Sequence, residues 1–133
     1  MKLESISYFG LASQRMEWLG ARQKVLAENV ANADTPGFKA REVNSFEDVL
    51  SKTVSAGQVT VTAPGHIAGT GTGVDGVRVS EDPEAWSNSP DGNSVVLEQQ
   101  TIKATEVAES YRLAATLYRK GYEMLTLSVT GMQ

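Results

Sequence analysis

The chain has 133 residues, 41% apolar and 21% charged, with a net charge of −4 at pH 7. That size fits one compact domain or a small domain with extended appendages, and the acidity argues against general affinity for nucleic acid or anionic membrane. No cysteine is present, which excludes disulfides, thiolate nucleophiles and Cys-based zinc sites, and no run approaches the roughly 18 apolar residues of a membrane span.

Charge is unevenly distributed. Residues 1–42 carry six Lys/Arg against five Asp/Glu, and residues 94–133 carry four against four, while residues 43–93 carry two against seven. Balanced ends suit helix-packing surfaces, and an acidic middle suits a solvated connection. The sequence therefore divides into an N-terminal helix segment (1–34), a turn and connecting segment (35–93) and a C-terminal helix segment (94–133).

In chain order, Met1 to Gly20 has polar residues throughout and no apolar h-region, so it does not read as a cleavable secretory signal. Phe9, Ala12, Met16, Leu19, Leu26, Val30 and Ala33 follow a four-three spacing that predicts a helix from about residue 5 to 33. Thr35-Pro36 ends it, because proline disfavours helix at the residue before it, and Pro36-Gly37 fits the centre of a type II turn. A short helix is expected over 45–50, with Phe46 and Leu50 inward. Val59 to Thr62 and Val77 to Val79 alternate like short strands of a small hairpin around a Gly-rich stretch.

The last segment shows the clearest period. Leu97, Thr101, Ala104, Ala108, Tyr111, Ala115, Tyr118, Tyr122, Leu125 and Val129 form a 3.5-residue repeat, and Val107, Ala114, Leu117 and Met124 form a second stripe. This predicts a helix over 94–129 with Asn93 as N-cap and Gly121 as its weak point. The expected fold is mainly α: two long terminal helices packed as a coiled coil around an irregular middle. The expected helix-packing residues are Met16, Leu19, Leu26, Val30, Leu97, Ala104, Val107, Ala108, Tyr111, Ala115, Leu117, Tyr118, Tyr122 and Leu125, and two stripes on the last helix imply contacts to neighbouring subunits as well as to the N-terminal helix.

Chemistry-bearing patterns are weak. The single histidine, His66, lies in the Gly-rich stretch without triad partners. Gly71 to Gly76 matches G-x-G-x-x-G, but a strand-like segment rather than a helix follows it, so dinucleotide binding fails on context. Ser87 to Gly92 with Glu98 echoes a calcium loop, but positions one and three are serines where carboxylates or amides are wanted, and a proline interrupts it. No catalytic residue, cofactor or metal is expected. Trp18 reads as a packing residue, and Trp86, in a polar loop, as a clamp on a helix or a contact to a neighbouring subunit.

The most specific stretch is Asn29, Ala31, Asn32, Thr35, Pro36, Gly37 and Phe38, a helix end with two asparagines three apart, a Pro-Gly turn and an aromatic anchor. Amides at that spacing can tie a helix to a turn or to a second helix. The stretch resembles the N-x-A-N-x-x-T-P-G-[FY] signature of bacterial flagellar basal-body rod, hook and axial proteins. With the short length, Asp91-Gly92-Asn93 and Val96 to Leu127, the likeness covers about residues 8–50 and 91–127 and is nearest to the small proximal-rod subunits. It implies a structural subunit, not an enzyme, exported by the flagellar type III apparatus and placed in the rod that crosses the periplasm. It also implies torque transmission from membrane ring to hook, and as partners copies of itself, other rod proteins, the rod-base adaptor and the membrane ring protein. The rival readings are the sister proximal-rod subunit, a non-flagellar coiled-coil adaptor or secreted protein, and a small enzyme.

Overall fold

The computed structural model describes residues 7–56 and 76–131, with residues 53–56 as backbone alone. The expected strand at Val59 to Thr62, His66 and most of the Gly71 to Gly76 motif lie outside the described residues. The elements run α1 (Ser7–Ala31), β1 (Arg41–Val43), α2 (Phe46–Ala56), β2 (Val79–Glu81) and α3 (Leu97–Thr130). At 1.5 Å per residue α3 is about 50 Å long, and α1 packs along it. No described helix is long and apolar enough to cross a membrane.

Among the described residues, a hydrophobic cluster joins Trp18, Leu19, Val25 and Leu26 from α1 with Val43, Val49 and Val107, and Phe46, Val77 and Ala104 pack against it. Three layers therefore meet on α1: α3 on one side, and β1 and α2 on another. This explains why the buried face of α1 is wider than its expected stripe. Trp18, Val25 and Asn29 are buried beside Leu19 and Leu26, whereas Val30 is exposed. A helix with two partners buries about half its circumference, and the four-three spacing captures one seam only.

The small sheet is antiparallel, with Arg41, Glu42 and Val43 opposite Glu81, Ser80 and Val79. The strand expected at Val77 to Val79 starts instead at Val79, and Val77 joins the core. Its described partner is β1, which directly follows the Pro-Gly turn. α2 is longer than the expected 45–50. Ser45 Oγ accepts from the Asp48 N–H at 3.2 Å, and Glu47 and Asp48 in the first turn favour the positive helix start.

α3 begins at Leu97 rather than at 94, and the residue before it, Val96, gives no side-chain cap. Asn93 does not cap α3. Its carboxamide Nδ2 is committed to the end of α1, and its Oδ1 accepts from the Val95 N–H two residues on. Gly121, the expected weak point, is where two rings of α1 pack directly on α3: a Cβ there would lie 2.7 Å from the Tyr8 ring and 3.3 Å from that of Phe9. Phe9 also meets Tyr118 edge to face at 5.0 Å, and the Tyr8 hydroxyl donates to the Leu117 carbonyl at 2.8 Å.

Candidate functional site

The asparagine-rich helix end and its turn form one hydrogen-bonded knot with the chain leading into α3. Asn29 is fully buried. Its Nδ2 donates to the Arg41 carbonyl at 2.8 Å and to Gln100 Oε1 at 2.9 Å, and its Oδ1 accepts from the Arg41 N–H at 2.9 Å. One carboxamide thus joins α1, β1 and α3. A buried amide meets this demand because it carries donor and acceptor together; leucine of similar size would leave three polar groups unpaired.

Asn32 works locally. Its Nδ2 donates to the Glu28 carbonyl at 2.8 Å, closing the last turn of α1, and its Oδ1 accepts from Thr35 Oγ1 at 3.1 Å. The turn follows, with the Phe38 N–H bonded to the Thr35 carbonyl at 3.2 Å and Gly37 at φ +74°. Those are the features of a type II turn, which needs a residue without a Cβ at its third position.

A second turn, 89–92, docks on the first. The Gly37 N–H donates to the Asp91 carbonyl, the Ser94 N–H to the Phe38 carbonyl, and the Ala40 N–H to Ser94 Oγ. Asn93 Nδ2 bridges the Asn32 and Thr35 carbonyls at 2.9 and 2.8 Å. A Cβ on Gly92, itself at φ +87°, would sit 3.4 Å from the Gly37 Cα, so the turns approach backbone to backbone. Phe38 is half-buried with the Arg41 guanidinium 5.9 Å from its ring centre, while Ala31 and Pro36 are exposed.

Beside this knot lies a charge cluster that sequence reasoning missed. Lys103 Nζ sits 2.6 Å from Asp82 Oδ2 and 3.1 Å from Glu42 Oε2, and Arg22 pairs with Glu42 through two bonds of 3.0 and 3.1 Å. Burial pushes the Glu42 carboxyl up, but the bond and charge of Arg22 and the Lys103 ammonium outweigh it and hold the group below its ordinary value. Burial pushes the Lys103 ammonium down, and Asp82 and Glu42 outweigh that and hold it above its ordinary value. The cluster pins the acidic segment after β2 onto α3. A spacing signal existed: Gln100, Val107, Ala114 and Gly121 are seven apart and all buried, yet two are polar or side-chain-free and do not read as core.

Of the expected packing residues, Leu19, Leu26 and Val107 are brought together in the core, and Met16, Ala104, Ala115 and Tyr118 are half-buried. Val30, Leu97, Ala108, Tyr111, Leu117, Tyr122 and Leu125 are exposed. Exposed apolar side chains lie on two flanks of α3, one with Leu97, Tyr111 and Tyr122, the other with Ile102, Leu113, Leu117 and Met124. α3 also continues past its contact with Tyr8 to Thr130, and Val129 is 73% exposed.

The family described as flagella basal body rod protein matches residues 12–39, which spans most of α1 and the whole turn. The flagellar basal body rod protein FlgB of Agrobacterium fabrum is 35% identical over 129 residues, covering 96% of both chains. The chain belongs to the flagellar basal-body rod protein family. Proteins of the same name from Proteus mirabilis and Salmonella typhimurium are each 31% identical, covering 86% of both chains in the first case and 72% and 73% in the second. Membership of the rod family makes this chain a structural subunit and not an enzyme. The matched region includes the helix end whose asparagines and turn lock α1 to α3 in this chain.

Proposed function

We propose that the chain is a subunit of the proximal rod of the bacterial flagellar basal body, exported through the flagellar type III apparatus and ordered fully on assembly. The observation that carries this is the mismatch between a firmly tied centre and unsatisfied flanks. The centre is held by Asn29, Asn93 and Lys103, while α3 leaves apolar side chains exposed on two faces and along its last turns. A soluble monomer rarely carries such surface unless partners cover it. Burial against neighbours supplies the free energy to order the free helical end, which a narrow helix alone does not hold in water.

Such a subunit transmits torque by stiffness. Two helices joined at one end by the double-turn knot and at the other by Tyr8, Phe9 and Gly121 resist relative sliding. The neighbours in this reading are copies of the chain, other rod proteins, the rod-base adaptor and the membrane ring protein. The test is Leu117→Asp, a substitution at an exposed position. Export and soluble folding should be retained, with incorporation into basal bodies and motility lost. Normal motility would overturn the proposal. Leu19→Asp is unsuitable as that test, because Leu19 is buried inside the monomer.

A further inference from the structure

Resting on the rod-subunit reading, we infer that Trp86 of one copy inserts into the α1–α3 groove of the next copy, so that subunits join side by side in one direction. Trp86 is 62% exposed, yet the backbone on either side of it is fixed. Gln99 donates from Nε2 to the Glu84 carbonyl at 2.7 Å and accepts from the Trp86 N–H at 3.4 Å, Lys103 holds Asp82, and Lys39 donates to Asn88 at 3.0 Å. A large aromatic presented on a fixed platform loses little further freedom on binding, which is the character of an interface anchor.

The receptor is a groove of about 560 Å³ lined by Leu19, Gly20, Gln23, Val107, Tyr111 and Arg112 among others. A Cβ on Gly20 would meet nothing within 4 Å, so that part of the wall is open. Arg112 is the one charged residue of the lining. The segment that carries Trp86 has the opposite sign: Glu81, Glu84 and Asp91 are exposed, and no Lys or Arg occurs between Arg78 and Lys103. Glu84, two residues before the tryptophan, is suited to meet Arg112.

The two surfaces cannot meet within one chain. Gln99, which holds Trp86, and Ala108, in the groove wall, are nine residues apart, about two and a half turns of helix, and so face opposite ways. Lys103 and Arg112 stand in the same relation. A donor on one flank and an acceptor on the other make a heterologous contact, which propagates into a ring or helical array instead of closing a two-fold dimer. For parallel neighbours the levels of Gln99 and Ala108–Tyr111 set an axial stagger of about 15 Å.

The absence of cysteine makes the test direct. Ser87→Cys and Gln23→Cys, both at exposed positions that leave Trp86 and most of the groove intact, are combined in one chain, and purified basal bodies are oxidised. The expected result is a ladder of covalent multimers. Adding Trp86→Ala should lower its yield by at least about tenfold, and Trp86→Phe should largely preserve it. A double-cysteine chain present in basal bodies at normal amount but wholly monomeric would overturn the interface while leaving the rod reading intact. Equal ladders with and without the Trp86→Ala substitution would overturn the role of the tryptophan. Absence of the unmodified chain from basal bodies would overturn the rod reading itself.

Discussion

Asn29→Ala removes a buried carboxamide that joins α1, β1 and α3. Three hydrogen bonds of 2.8 to 2.9 Å are lost at a site with no solvent exposure. Each is worth about 1 kcal/mol net, and the Arg41 backbone groups and Gln100 Oε1 are left to find water in a packed site, so the loss is about 3 kcal/mol. Gln100 Nε2 has no hydrogen-bond partner among the described residues, so rotation of that amide is a local route to partial rescue. Against a typical stability of about 5–15 kcal/mol this is a large fraction. With a urea m-value of about 1–3 kcal/mol/M, the midpoint should fall by about 1–3 M. The assay is urea unfolding followed by fluorescence of buried Trp18 in a Trp86→Phe background. Asn29→Asp should cost as much or more at neutral pH, because it keeps the acceptor for the Arg41 N–H but aims a carboxylate at two oxygens. A midpoint shift under about 0.3 M, or no coupling between Asn29→Ala and Gln100→Ala in a double-mutant cycle, would refute the reasoning.

Lys103→Met should destabilise by about 3–5 kcal/mol in the same assay, because it strands the buried Asp82 carboxylate without a cation and leaves Glu42 with Arg22 alone. The pH profile should be flat near neutrality and fall at both extremes. Glu42, depressed in the fold, contributes above its ordinary value of 4.5 and loses that as pH falls below it; Lys103, raised in the fold, contributes below 10.5 and loses that as pH rises beyond it. Gly37→Ala should cost about 1–2 kcal/mol through its positive φ, measured as a lowered thermal midpoint. Gly121→Leu should separate the ends of α1 and α3 by forcing the Tyr8 and Phe9 rings aside, seen as faster amide exchange in the first turns of α1.

Much of the helical frame was legible because long periodic segments carry a strong signal: both helices, the turn at Thr35-Pro36-Gly37 and a short central helix followed from spacing and from proline and glycine chemistry. What was illegible had a common cause. Within the chain, α3 is buried at Gln100 and Gly121, which are polar or bare and carry no apolar signal, whereas Tyr111, Leu117 and Tyr122, which do carry it, lie on exposed flanking rows. β1 is three residues long and begins Arg-Glu, too short and charged to alternate visibly. Asn93 had the residue type of an N-cap, but its Oδ1 accepts from the Val95 N–H ahead of the helix while two carbonyls at the end of α1 hold its Nδ2, and only the tertiary arrangement reveals that. Lys103, Glu42 and Asp82 are far apart in sequence, and each alone reads as a surface ion.

The central claim is that this chain is built into the rod. The most direct measurement is electron microscopy of basal bodies from cells lacking the gene, with and without the gene restored. The account predicts membrane rings without a completed rod and loss of motility in the deletion, and complete rods with motility on restoration. Complete rods and normal swimming in the deletion would contradict it.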